Sequence, residues 1–146
     1  MCSTSLADLK SEIDAYNDSA YACGAPELDA KSAIESTTNK DSFLIQCSKC
    51  RVIIQMTSEG VIKTVGVYAD DDSSAADYLC CCMAWVTCLG ETSIPAYGML
   101  LTQFSSIRAG FESVPYVIGT DAFQIISDDS AKYTFVYMNN DLSSGH

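Results

Sequence analysis

Between Ser42 and Tyr68 the apolar residues fall at every second position. In "SFLIQC", Phe43, Ile45 and Cys47 share a face. In "RVIIQMTS", Val52, Ile54 and Met56 share one, with Arg51, Gln55 and Thr57 opposite. In "VIKTVGVY", Val61, Val65 and Val67 fall together, and Lys63 interrupts them. A period of two belongs to strands with one buried face. The short breaks between the runs, "EG" among them, join three strands as an antiparallel meander.

On either side of this stretch the period lengthens. "SLADLKSEIDAY" sets Leu6, Leu9, Ile13 and Tyr16 at helical spacing, with Ser5 as its cap, and "CGAPELDAKS" reads as a loop broken by Gly24 and Pro26. After Asp70–Asp72, Ser73 or Ser74 leads into a second helix with Leu79, Met83 and Val86 on its apolar face and Gly90 as its C-cap. A third helix is capped by Ser93 and carries Pro95 in its first turn. Its stripe is Ile94, Tyr97, Leu101, Phe104, Ile107 and Phe111; Gly98 weakens it and Gly110 ends it. Strand periodicity then returns, with Phe123 and Ile125 on one side of the turn "DDSA" and Tyr133, Phe135 and Tyr137 on the other. The pattern predicts an α+β domain in α-βββ-αα-ββ order: an antiparallel sheet of about five strands with helices packed on one face.

Composition narrows this. A length of 146 residues with 48% hydrophobic content is one domain with a real core, spanning residues 1–146, with flexible ends at 1–4 and 139–146. No apolar run approaches the roughly 18 residues of a membrane span. Nineteen acidic residues against eight basic ones give a net charge of −11, which repels a phosphate backbone, so nucleic acid is not an expected partner. The acidity reads first as a solvated surface. The run Asp70–Asp72 is where a cationic partner or divalent metal would be drawn.

The eight cysteines raise four chemistries. For a metal, Cys47 and Cys50 have the spacing of a ligand pair, with one of Cys80, Cys81 or Cys82 as a third. The helical triplet cannot converge on one ion, because successive residues point about 100° apart. For redox work, "CSKC" runs into a strand and not into the helix N-terminus that lowers a thiol pKa. For a disulfide, Cys47 and Cys50 can close a small loop across a hairpin. The fourth reading is packing: Cys80–Cys82 and Cys88 as small, reduced helix-core side chains, with Cys82 beside Leu79, Met83 and Val86. A nucleophile–histidine pair has only the terminal His146 to draw on. "DDDSSA" fails as a calcium loop, since Ala75 stands where a glycine is needed and Cys81 where a glutamate is needed. Trp85 and Tyr97 read as core aromatics. No catalytic residue and no cofactor is assigned.

The chain opens "MCSTSLADLKSEIDAYNDSA", with a cysteine directly after Met1 and then Ser-Thr-Ser. With "FLIQCSKCRVIIQMTSEGVIKTVGVYAD" and the later helix and hairpin, it resembles the small lipoproteins of gut Gram-positive bacteria. The resemblance implies a domain of no established activity, tethered outside the cell through lipidated Cys2. The membrane is then met only through the anchor. The acidic α-βββ-α-ββ pattern is also similar to that of type III secretion chaperones, which implies a cytoplasmic, acidic, protein-binding chaperone. The expectation is a non-enzymatic, extracytoplasmic, membrane-anchored binding or structural domain, whose partner is a protein or small ligand.

Overall fold

The computed structural model describes residues 2–25, 27–29, 31, 33–35, 42–46, 50–57, 62–69, 75–88, 94–118, 121–128 and 131–139. The elements in chain order are α1 (Cys2–Cys23), β1 (Ile34–Glu35), β2 (Ser42–Gln46), β3 (Arg51–Met56), β4 (Ile62–Ala69), α2 (Ala75–Cys88), α3 (Ile94–Arg108), β5 (Tyr116–Ile118), β6 (Asp121–Asp128) and β7 (Ala131–Asn139). The chain is α+β. Its single described sheet has seven antiparallel strands in the order β1-β2-β3-β4-β7-β6-β5. The count exceeds the expected five because β1 and β5, two and three residues long, cap the two edges. Runs that short carry no periodicity, and such edges leave little unpaired backbone for another chain to pair with.

The two halves of the sequence meet at the centre of the sheet. After β4 the chain makes α2 and α3, arrives at the far edge as β5, and returns through β6 to β7. There Thr64–Ala69 of β4 pair with Tyr133–Met138 of β7. In β4 the register shifts by one residue: Thr64 lies opposite Gln55, but Ile62 lies opposite Met56. Lys63 is the extra residue of a bulge, which brings Ile62 onto the buried face with Val65 and Val67. The polar interruption in that strand's pattern is therefore a change of register.

Both helices that pack on the sheet use the same face. Phe104 of α3 stacks on Tyr133 of β7 at 4.6 Å between ring centroids, and Tyr78 of α2 lies 5.7 Å from the same ring. Helix α1 runs antiparallel to α2, with Tyr16 stacked on Trp85 at 4.6 Å. The core is Leu9, Ile13 and Tyr16 of α1, Trp85 of α2, Leu100 of α3 and the inward rows of the strands, all fully or nearly fully buried. Each such side chain contributes about 1.5–3 kcal/mol of apolar burial.

Helix boundaries and phases depart from the expected ones. Helix α1 begins at Cys2 and continues past Tyr16 to Cys23. Its last turns are held by Asn17, whose amide nitrogen donates to the Leu28 carbonyl at 2.9 Å while its oxygen accepts from the Leu28 N–H at 2.8 Å. Gly24, with φ +73°, ends it, and Ala25 N–H donates to the Ala20 carbonyl. Gly110, with φ +88°, ends α3 in the same way, as the pattern predicts. The buried positions of α3 are Ala96, Leu100, Gln103 and Phe104, whereas Leu101 and Phe111 of the expected stripe are 48% and 71% exposed. A small alanine and an amide occupy the core side, so a hydrophobic pattern read one phase off. The caps at Ser73 or Ser74, Gly90 and Ser93, and Val61, lie outside the described residues.

Candidate functional site

The cysteine-rich helix is core. Cys81 and Cys82 are fully buried, and Cys80 and Cys88 are half-buried. Helix α2 lies against α1, α3 and the sheet, so its buried arc is wide and holds Tyr78, Cys81, Cys82, Trp85 and Val86. Leu79 and Met83, expected on its apolar face, are only partly buried. Tyr16 donates its hydroxyl to the Cys81 sulfur at 3.2 Å, and Tyr78 donates to the Val67 carbonyl at 3.2 Å. Burial pushes the Cys82 thiol well up, and also raises Cys80, where Cys23 and Asp77 act in the same direction. Burial, with Glu12 nearby, pushes Cys88 up to about 11. Thiols held above their ordinary value of 9.0 stay protonated at neutral pH and are poor nucleophiles and poor metal ligands.

The other sequence-derived site residues do not converge. Cys50 is buried, and it lies near enough to Tyr78 and Cys82 to influence both. Its expected partner Cys47 lies outside the described residues, as do Asp70–Asp72 and His146. Cys2 is the first residue of α1. Among the described residues no group of three or more His, Cys, Asp or Glu side chains is placed to hold a metal ion. Trp85 is fully buried, with Nε1 lacking a hydrogen-bond partner, and Tyr97 shares a 2.8 Å hydrogen bond with Thr87.

A polar network that the sequence did not reveal sits where β5 leaves β6. Gln103 is 1% exposed. Its Nε2 donates to the carbonyls of Val114 and Phe123 at 2.8 and 3.3 Å, and its Oε1 accepts from Ile125 N–H at 3.1 Å. Ser113 Oγ donates to the Ile125 carbonyl, and Gln124 Nε2 donates to the Ser113 carbonyl at 3.0 Å. These side chains supply the bonds that a longer β5 would have made, so the edge of β6 is satisfied without a strand. A groove of about 520 Å³ lies beside them, lined by Ile107, Phe111, Glu112, Ser113, Ile126 and Ser127, among others.

The face of the sheet turned away from α2 and α3 has a different chemistry. Register aligns three cross-strand rows along its middle. One row is Leu44, Ile53, Gly66, Val136 and Gln124; the second is Gln55, Thr64, Met138, Ala122 and Val117; the third is Gln46, Arg51, Tyr68, Thr134 and Ile126. These rows hold one formal charge, that of Arg51, whose guanidinium lies 5.6 Å from the Tyr68 ring centroid. No carboxylate occupies them, on a chain of net charge −11. Two shallow grooves flank a ridge made by Val136 and Met138. One, of about 280 Å³, is lined by Ile53, Gln55, Gly66 and Tyr68, and the other, of about 270 Å³, by Pro115, Ala122, Gln124 and Ile126; both are walled by the ridge. Gly66 makes the floor of the first, where a Cβ would come within 2.8 Å of the Tyr68 hydroxyl.

This surface was legible only in part. The alternation put Arg51 and Gln55 on a second face, but the lack of carboxylates in these three rows appears only once register aligns the strands. The geometry has to be read from the chain's own residues, because no family model, no curated protein and no solved structure matches it.

Proposed function

We propose that the chain is a non-enzymatic binding or structural domain that engages a protein through the open face of its sheet. The observation that carries this reading is the carboxylate-free, largely apolar set of rows on an otherwise strongly acidic chain. Water gains from losing contact with such a surface, and no buried acid has to be desolvated when a partner covers it. The raised thiol pKa values and the packed cysteines speak against thiol chemistry as the activity.

The lipid anchor belongs to the same proposal. Cys2 begins α1, which packs on α2 behind the opposite face, so a lipid there leaves the open face uncovered. Replacing Cys2 with Ala in the full gene should release the protein from the membrane fraction; equal partitioning of both forms would remove the anchor.

The binding role is tested by photo-crosslinking in expressing cells. A benzoylphenylalanine at Val136 should give an adduct of defined mass, and one at Ser105, exposed on α3, should give none. No adduct at Val136, or the same adducts from both positions, would overturn the reading.

A further inference from the structure

We infer that the partner of the open face is a second copy of this chain, docked face to face about a twofold axis. This pairing rests on the binding role proposed above and narrows it to one occupant. Three features of the face point to it.

The first is relief. Val136 and Met138 form a ridge on β7, and the groove over Gly66 lies directly beside it. A surface with an apolar ridge next to an uncharged groove is complementary to itself. A twofold axis between the two sets each copy's ridge in the other's groove, which is the arrangement an isologous interface requires. Packed sheets meet at about 10 Å, a distance that side chains of the size of Met and Val fill by interdigitating.

The second is charge. A second copy brings its own −11. Two such molecules repel through most approaches. The three rows of the open face let two copies touch without bringing carboxylates together, with Arg51 at their margin.

The third is area. Seven strands of two to nine residues, averaging about 19 Å in length and spaced by about 4.8 Å, present about 600 Å² in projection. Face-to-face contact removes at least about 1,000 Å² from water across both copies, the size at which a specific interface becomes stable.

Sedimentation equilibrium from about 1 to 200 µM, a range that covers micromolar self-association, tests this. It uses wild type, Met138→Lys and Leu101→Lys. Met138 and Leu101 are matched in exposure, 40% and 48%, but lie on the open face and on α3 respectively. Wild type and Leu101→Lys should pass from monomer to dimer across the range. Met138→Lys should weaken association by about 30-fold or more, because a twofold axis buries two unpaired ammonium groups. Unchanged melting of both variants keeps the comparison about association. A monomeric wild type at every concentration, or a Met138→Lys variant that dimerises like wild type, overturns the second-copy inference. Crosslinking at Val136 separates the two readings. An adduct of twice the chain mass supports the dimer. An adduct to a different protein with a monomeric wild type ends the dimer but keeps the binding role. No adduct ends both.

Discussion

Phe135 and Val136 are neighbours in β7, yet they belong to surfaces with opposite tasks. Phe135 is fully buried among aromatic rings, and Val136 stands half-exposed on a ridge between two grooves. The same alternation holds for Ile54 and Ile53 in β3 and for Val67 and Tyr68 in β4. One face of the sheet holds the fold together with stacked aromatics and protonated thiols. The other carries comparable side chains that no described helix covers. Neighbouring apolar residues on two faces, with only one face packed under helices, are what separate stability from recognition here.

Substitutions should therefore sort by face. The largest effect belongs to Trp85→Ala, which empties a fully buried site stacked on Tyr16. It should cost about 3–5 kcal/mol, read by urea unfolding with circular dichroism. Met138→Lys, on the other face, should stay within about 0.5 kcal/mol of wild type in the same assay. Equal losses from the two would erase the distinction between the faces.

Next comes Gln103→Ala, which leaves Ile125 N–H and the carbonyls of Val114 and Phe123 without their amide partner. A loss of about 2–3 kcal/mol is expected, with faster hydrogen exchange at the Ile125 amide. Gln124→Ala, whose amide bonds Ser113 at a half-buried position, should cost less than about 1 kcal/mol.

The thiol layer gives a pH signature that the open face lacks. A neutral thiol whose folded pKa is raised adds stability that is complete below its unfolded pKa and is lost as pH climbs to its folded pKa. For Cys88 that window runs from 9.0 to about 11, and Cys82 and Cys80 act in the same direction. Each contributes at most about 1.4 kcal/mol per pH unit, and the half-exposed ones less. The melting temperature should fall between pH 9 and 11, and Cys88→Ser should flatten part of the slope; a flat wild-type profile would contradict the buried-thiol account.

A small effect on stability is also expected from Gly66→Ala, where the new methyl pushes the Tyr68 ring aside. Stability should change by less than about 1 kcal/mol, because the obstructing atoms are the outer end of a side chain. Shifted Tyr68 ring resonances and weaker self-association would show that the groove itself had changed.

The sequence shows the parts that periodicity governs. Val52, Ile54 and Met56, and later Tyr133, Phe135 and Tyr137, declare their strands and their buried side. Gly110 declares the end of its helix. The rest escaped for physical reasons. The edge strands at Ile34–Glu35 and Tyr116–Ile118 are too short to show a period. The bulge at Lys63 inverts the pattern it sits in. Gln103 is polar and reads as surface, yet it is buried because it replaces a missing strand. Leu101 and Phe111 are apolar and read as core, yet they face outward. Of the site, Cys50 and the Cys80–Cys82 run were visible as residues, and packing decided their role. The three rows of the open face needed register before their lack of acids could be seen.

Methionine oxidation by dilute peroxide, followed residue by residue with mass spectrometry, tests the claim about the open face most directly. Met138 is 40% exposed on that face and Met56 is 5% exposed in the core, so each molecule carries its own reference. In dilute purified protein Met138 should oxidise many-fold faster than Met56. In concentrated protein or in intact cells it should become protected while Met56 is unchanged. If Met138 oxidises equally fast under all three conditions, nothing covers the face, and the account of it as a binding surface is wrong.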